Sequence, residues 1–416
     1  MKKITLILLL LIIYFSAFSQ AWLPQISGTS NALYSVFFSK EDSGFAVGIG
    51  GTIKKTTDGG INWNTITSGL STDLLDVKFA DENTGYIVGR SGVILKTTDG
   101  GNSWNSVSPT NTPDFIRIFI IGNDIYVSGY YGPNGGIIIK SSNAGLSWTT
   151  LNTGTTGYLY SSFFTDIDTG YVVGYPGIIL KTTNGGISWT AQTSGTSFQL
   201  ISVFFTDSNN GFIAGGDISS SNSGIILKTI DGGATWVSEI FPNNYFGNIR
   251  FLDPMTGFVA GGSVTANTST ILKTNDSGTS WNLENSSSSR QYGLTVPSLN
   301  IGYSCGVDGT ILKTTGLTTG LEEFVSNNFN TEIAPNPFNS YFTINFDSEN
   351  DNLIEIRLFD IVGKECSPVI NESLMKGTNH VEVKGLDLLD NGVYFVQIKA
   401  GKSIQTKKVV KAGQIF

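Results

Sequence analysis

The octapeptide Thr56-Thr57-Asp58-Gly59-Gly60-Ile61-Asn62-Trp63 returns in five further copies, ending at Trp104, Trp148, Trp189, Trp236 and Trp281. Its third position is Asp58, Asp99, Asn143, Asn184, Asp231 and Asp276 in turn. Trp22 is the remaining tryptophan of seven, and the intervals between successive tryptophans are 41, 41, 44, 41, 47 and 45 residues. Each interval reads as four short strands, at 33–38, 44–48, 52–57 and 62–67 in the first unit. Aromatic and β-branched runs alternate there with glycine-rich or Asp/Asn/Ser turns. A four-stranded repeat of this length is a propeller blade, and the expected class is all-β.

Six octapeptides suggest six blades, but the three inner strands occur seven times. The last copy, around 292–296, 302–306 and 310–315, ends at Thr314-Thr315 without box or tryptophan. Conversely, Trp22-Leu23-Pro24-Gln25-Ile26-Ser27-Gly28-Thr29-Ser30 matches Trp189-Thr190-Ala191-Gln192-Thr193-Ser194-Gly195-Thr196-Ser197, an outer strand with no blade before it. The N-terminal strand is therefore expected to complete a seventh blade and close the ring, which removes open edges.

Composition agrees with this architecture and narrows the chemistry. Charged residues make up 14% of 416, and there are 50 glycines, two cysteines and a single histidine, His380. One histidine excludes two-histidine mechanisms and histidine-based zinc centres. A net charge of −8 argues against a nucleic-acid partner. Residues 1–19 read as a signal peptide: Lys2 and Lys3 precede an apolar run, and Ala17-Phe18-Ser19 places cleavage before Gln20. Loss of the two lysines leaves −10. No later run reaches membrane-spanning length, so the mature protein is expected to be exported and either soluble or attached to a surface from outside; a monomer is expected.

The octapeptides resemble the Asp-box of bacterial neuraminidase repeats, Ser/Thr-x-Asp-x-Gly-x-x-Trp. The Asp or Asn is expected to bind backbone amides of the turn, glycine to supply positive φ, and tryptophan to pack between sheets. Asp58, Trp63, Asp99, Trp104, Asn143, Trp148, Asn184, Trp189, Asp231, Trp236, Asp276 and Trp281 are thus structural. The longer unit, Gly-Tyr/Phe-x-x-Gly then Ile-Leu-Lys-Thr-Thr-Asp-Gly-Gly-x-x-Trp, resembles the photosystem II stability and assembly factor family from Trp22 to about Thr315. That resemblance implies a seven-bladed, non-enzymatic binding propeller without cofactor. Nothing in the sequence suggests photosynthesis, so the fold carries over and the client does not.

The propeller is expected over 20–318, a linker over 319–332 and a small β-sandwich over 333–416. The last segment resembles the C-terminal sorting domain of the type IX secretion system. The matching residues are Pro335, Asn336 and Pro337; Asp360 with Gly363 and Lys364; Gly392 and Tyr394; and Lys407, Lys408 and Lys411. Ala334 departs from the family's usual aromatic, and five residues follow Lys411. The resemblance implies a type IX translocon as partner, a Bacteroidetes-type host, and delivery through the periplasm to the outer cell surface or medium.

Aligning the inner strands on Phe38, Phe79, Ile120, Phe164, Phe205, Phe251 and Val296 separates two parities. Val36, Val77, Ile118, Val203 and Ile249 are expected between blades. Ser35, Phe37, Asp76, Lys78, Arg117, Phe119, Ser161, Phe163, Ser202, Phe204, Asn248, Arg250 and Thr295 are expected to line the channel. Three cations beside one carboxylate suit an anionic or sugar-like ligand; a water-filled channel with self-compensating charges is the other reading. Turns between second and third strands lengthen at 130–135, 217–223 and 262–268, all on one mouth, beside Arg90, Tyr175 and Asp308. The candidate ligand site is Asp76, Lys78, Arg90, Arg117, Tyr130, Tyr131, Tyr175, Asn248 and Arg250, for a protein or glycan ligand.

No catalytic residue, metal ligand or cofactor is assigned. The alternative is a secreted glycoside hydrolase, sialidase-like or polysaccharide-degrading. Against it, the inner strands hold no glutamate, Asp76 is the single channel carboxylate, and acid–base hydrolysis needs two carboxyl groups about 5–10 Å apart. Xyloglucan hydrolases of this fold use two propellers, whereas one is present here; Asp217 and Asp308, on mouth loops, keep the alternative open. The turns at Asp81 and Asp166 read as turn chemistry and not as calcium loops. Cys305 and Cys366 fall in different domains, and His380 has no partner evident in the sequence.

Overall fold

The computed structural model describes residues 22–109, 113–132, 135–217, 223–298, 300–315, 331–348, 352–360, 366, 370–374, 376–387, 389–400 and 403–412. The expected signal peptide, Gly363 and Lys364, and parts of the turns at 130–135 and 217–223 lie outside these residues. The chain divides into two units, Met1–Thr318 and Thr319–Phe416.

Among the described residues the first unit holds seven four-stranded antiparallel sheets. Blade one runs Leu33–Phe38, Gly44–Gly48, Thr52–Thr56 and Asn64–Ile66, each strand pairing with the next. Blade seven takes Gln291–Ser298, Ile301–Gly306 and Ile311–Thr315 from one end of the unit and Leu23–Gln25 from the other. Leu23, Pro24 and Gln25 pair with Lys313, Leu312 and Ile311. Trp22, 3% exposed, packs there with Phe258, Leu294 and Leu312. Tyr303 of blade seven stacks on Phe38 of blade one at 3.8 Å, so the first and last blades are neighbours.

The same stacking repeats around the ring. Phe45 lies on Phe79, Tyr126 on Phe164, Tyr171 on Phe205 and Phe212 on Phe251, each at about 4–5 Å. Each of these inner-strand phenylalanines also meets the tryptophan of its own box edge-on, as Phe79 meets Trp104 at 5.8 Å. The Gly-x-x-x-Gly spacing follows from this packing. A Cβ on Gly44 would stand 2.6 Å from the Phe38 ring, and one on Gly48 would stand 2.0 Å from the Ala32 carbonyl oxygen. Only glycine fits both contacts.

Within each box the Asp or Asn takes the amide bonds expected of it. Asp58 Oδ1 accepts from Asn62 N at 2.9 Å and from Thr56 Oγ1 at 2.8 Å, while Thr56 Oγ1 accepts from Gly60 N at 2.9 Å. The boxes also join blades, which the sequence did not reveal. Tyr303 Oη and Lys313 Nζ of blade seven both donate to the Gly59 carbonyl of blade one, at 2.8 and 2.7 Å. Tyr171 and Lys181 do the same at Gly232, both at 2.7 Å. At Lys55, Lys96, Lys181 and Lys313 the lysine of this strand is thus a clamp on a neighbouring blade's turn.

Hydrogen bonds from Thr235 and Ser280, side chain first, draw the Asp231 and Asp276 carboxyls down to about 2 from 3.8. Asp58 and Asp99 shift the same way. A depressed folded pKa contributes stability above the unfolded value and loses it as pH falls through the folded one. The melting temperature of the propeller, read by tryptophan fluorescence, is therefore expected to drop between pH 4 and 2. The variant Asp231→Asn/Asp276→Asn should flatten that drop. An unchanged slope would contradict the assignment.

The second unit packs a three-stranded sheet, Thr331–Ala334, Phe342–Ser348 and Gly377–Val383, with a four-stranded one. The latter is ordered Ile370–Leu374, Asn352–Phe359, Gly392–Ala400 and Ser403–Lys411. Thr331–Ala334 begins inside the expected linker, and Ile370–Leu374 is a strand the alternation did not disclose. Phe338, Phe342, Ile344, Ile356, Leu358, Val396 and Val409 belong to its own core. Motifs 72–74 residues apart meet here. Asn336 accepts from Val410 N at 2.8 Å and donates to the Lys408 carbonyl at 3.2 Å. Lys411, buried, donates to the carbonyls of Asn339 and Leu386 and lies over the Phe338 ring. Tyr394 Oη donates to the Asp390 carbonyl at 2.9 Å. His380 Nδ1 lies 2.7 Å from Asn345 Oδ1, a partner the sequence reading did not provide. Neither cysteine is in a disulfide; Cys305 is buried in blade seven and Cys366 lies against the second core.

Candidate functional site

All seven inner strands break register at one position. Blade one skips between Leu33 and Ser35, and the others skip at Leu75, Ile116, Tyr160, Ile201, Gly247 and Tyr292. The extra residue of such a bulge leaves the ladder and re-aims its side chain. The residue before it, Leu33 for example, stays fully buried in the blade. Tyr34, Tyr160 and Tyr292 occupy this bulge, at the strand end facing the second-to-third-strand turns.

Those tyrosines build a mouth with others from the turns. Tyr130 and Tyr158 have ring centroids 4.8 Å apart, and Tyr160 and Tyr175 lie within 6.3–6.5 Å of members of that pair. Tyr34 faces Tyr292 at 5.3 Å, and the Arg290 guanidinium lies 4.9 Å above the Tyr292 ring. Arg290 also donates to Tyr292 Oη at 2.6 Å, and Tyr245 Oη donates to Gln199 Oε1 at 2.8 Å. Burial, and then the neighbouring Tyr130, Tyr158 and Tyr175, push the Tyr160 hydroxyl pKa up. Burial followed by Tyr160 does the same at Tyr245. Arg90 bridges Asp114 at 2.8 Å and Asp73 at 3.3 Å.

Of the expected mouth residues, Arg90, Tyr130 and Tyr175 are therefore together. Tyr131 is not with them, since it packs on the core between blades two and three. Tyr34, Tyr158, Tyr160, Tyr245, Tyr292 and Arg290 were missed. For Tyr34, Tyr160 and Tyr292 the signal is faint: a tyrosine immediately before Ser35, Ser161 and Gly293, which only the bulge turns toward the axis.

The middle of the axis is a closed polar layer. Asp76, 1% exposed, accepts from Ser35 Oγ at 2.6 Å and from Ile118 N at 3.1 Å. Arg117 lies 3.6 Å from Asp76 and donates to the Gly247 carbonyl at 3.2 Å, so its side chain reaches from blade three toward blade six. Asn248 is buried against Ser202 at 3.4 Å and does not line the cavity beyond. Despite burial, Lys78 and then Arg117, with the bonds from Ser35 and Ile118, hold the Asp76 carboxyl below its ordinary range. Side chains of this layer thus cross the axis that the sequence reading expected as a channel. Lys78, Arg117 and Arg250, expected to point into the channel below the mouth, lie at the axis on the other side of this layer. They line a cavity of about 310 Å³ with Phe37, Phe119, Phe163 and Phe204, residues from the other half of the inner strands.

Elsewhere the turns satisfy themselves. Asp81 Oδ1 accepts from Asn83 N and Thr84 N at 2.8 and 2.7 Å, and Asp166 repeats the pattern with Asp168 N and Thr169 N. Among the described residues no group of three or more His, Cys, Asp or Glu is placed to hold a metal ion. Among them, too, no helix is long and apolar enough to cross a membrane.

Fold and motifs together define an exported propeller protein with a C-terminal sorting domain. The chain belongs to the family described as photosynthesis system II assembly factor YCF48, which matches residues 61–157 and 147–282, more than half of its length. Residues 332–412 match the secretion system C-terminal sorting domain, so the protein is exported by the type IX route to the cell surface or medium. Among solved structures, "YCF48 bound to D1 peptide" is 22% identical and covers 71% of this chain and 95% of its own, with a TM-score of 0.56. A GH74 enzyme of Niastella koreensis is 13% identical over 95% of this chain and 74% of its own, TM-score 0.57. PorZ of Porphyromonas gingivalis, a surface component of the type-IX secretion system, is 13% identical over 92% and 59%, TM-score 0.52. At these identities the likeness speaks for the fold alone. No curated protein matches the chain.

Proposed function

We propose that this surface-delivered propeller is a non-enzymatic binding protein that holds an extended protein segment at its tyrosine mouth. The observation that carries the reading is the grouping of seven tyrosines, Tyr34, Tyr130, Tyr158, Tyr160, Tyr175, Tyr245 and Tyr292, with Arg90 and Arg290 at one end of the axis. Tyrosine and arginine give large contact area with polar tips and little loss of side-chain freedom, which suits peptide and protein surfaces. A YCF48 structure with a bound peptide supports the same use of the fold. Hydrolysis is disfavoured by the carboxylates available. Asp73 and Asp114 are both engaged by Arg90, and Asp76 is buried behind Ser35 and Arg117.

The test is a peptide-display selection and a glycan array, both read with the full chain. Peptide ligands are expected, and Tyr160→Ala with Arg290→Ala should weaken them by about 1–3 kcal/mol per residue. Recovery of glycans alone, or release of reducing sugar from a polysaccharide, would overturn the proposal.

A further inference from the structure

The axial cavity on the far side of the Asp76–Arg117 layer is independent of the mouth. Its charged lining consists of Lys78, Arg117 and Arg250 against one carboxylate, Asp76. Asp76 is already engaged by Ser35, by Ile118 N and by Arg117. Arg250 spends one nitrogen on the Ile249 carbonyl at 2.8 Å, and its guanidinium lies 5.9 Å from the Phe204 ring centroid. Lys78 Nζ has no hydrogen-bond acceptor among the described residues; it lies 5.1 Å over the Phe37 ring. The remaining wall is Phe119, Phe163 and Phe204, with the hydroxyls of Ser161 and Thr295.

We propose that this cavity binds a small organic anion, a carboxylate carried on an apolar or aromatic body, with the carboxylate on Lys78 and Arg250 and the body against the phenylalanines. Two positive charges in excess cost free energy where they are partly desolvated, and an anionic ligand offsets that cost. Burial first lowers Lys78 to about 8, with Asp76 opposing the shift and Arg250 and Arg117 adding to it; burial and Arg117 bring Arg250 to about 10, again against Asp76. The single carboxylate does not offset burial at either cation. The volume, about 310 Å³, is at the lower end of small-molecule pockets. Aromatic faces around a fixed cationic centre favour a flat apolar acid over a bare inorganic ion.

Calorimetry and thermal unfolding of the full chain with phenylacetate, benzoate and cinnamate test this, with phenylacetamide and inorganic phosphate as comparisons. At least one of the three acids is expected to bind saturably, roughly tenfold or more tighter than either comparison, and Lys78→Met should weaken it by a similar factor. Without ligand, Lys78→Met should melt higher than the parent, because it removes one of three cations that share a single carboxylate. Equal binding of acid and amide, tighter binding of phosphate, or no saturable binding of any acid would overturn the proposal. A Lys78→Met chain that folds but melts lower would do so too, since the ammonium would then be structural. Should that variant fail to fold, the comparison of acid with amide on the parent chain decides alone.

Discussion

A chain lacking residues 22–28 is expected to lose several kcal/mol of propeller stability, and Trp22→Ala by itself about 3–5 kcal/mol. Trp22 is 3% exposed against Phe258, Leu294 and Leu312, and its strand supplies the outer edge of blade seven through Leu23, Pro24 and Gln25. Truncation removes that apolar burial and exposes the unpaired edge of Ile311–Thr315, a template for pairing with another chain. The sorting unit has its own core, so the loss should fall on one of two transitions. All seven tryptophans lie within the propeller, so urea unfolding followed by tryptophan fluorescence reports it selectively. An unchanged midpoint in the truncated chain would show that blade seven does not depend on the N-terminal strand.

Asp76→Asn is expected to cost about 3–5 kcal/mol at pH 7, because it removes the charged partner from a buried pair. Asparagine retains the shape, with its oxygen accepting from Ile118 N and its amide able to donate to Ser35 Oγ, so most of the loss reports the charge. Lys78, Arg117 and Arg250 would then face one another without a carboxylate. The deficit should shrink as pH rises. Lys78 in the parent titrates near 8, below its ordinary 10.5, and removal of Asp76 lowers it further. Between the folded and unfolded values the unfolded chain binds more protons, so stability increases with pH across that window. Adding Lys78→Met to Asp76→Asn should recover part of the loss, which a double-mutant cycle in urea measures. A single variant as stable as the parent at pH 7 would mean that the carboxylate contributes nothing to holding the axis together.

How far the sequence reaches differs between the two ends of the axis. The alternation on the inner strands placed Lys78, Arg117, Phe119, Ser161, Phe163, Phe204, Arg250 and Thr295 at the axis, and all of them line its cavity. Period-two patterning suffices there because, beyond the bulge, the inner strands of blades one to six keep an uninterrupted ladder, and that of blade seven keeps one as far as Thr295. On the other side of the bulge the same arithmetic fails. One inserted residue shifts every preceding side chain to the opposite face, so Tyr34, Tyr160 and Tyr292 read as blade interior yet project toward the mouth. Only backbone register exposes that shift.

The repeat by itself determined the propeller, the four strands per blade and the source of the seventh blade's outer strand. Trp22 and the six boxes are local signals whose turn chemistry and aromatic spacing suffice to specify a blade. The motifs of the last segment likewise determined the sorting domain, although the meeting of Asn336 with Val410 and of Lys411 with Phe338 needed the folded sandwich. Tertiary structure alone decided what the charges do. Arg117 crosses from blade three to the Gly247 carbonyl, 130 residues away, and divides the axis into a tyrosine mouth and a cationic cavity. Such a division depends on distances between side chains of non-adjacent blades. These are set by how the ring closes and by where each bulge aims its residue, and no periodicity along the chain encodes them.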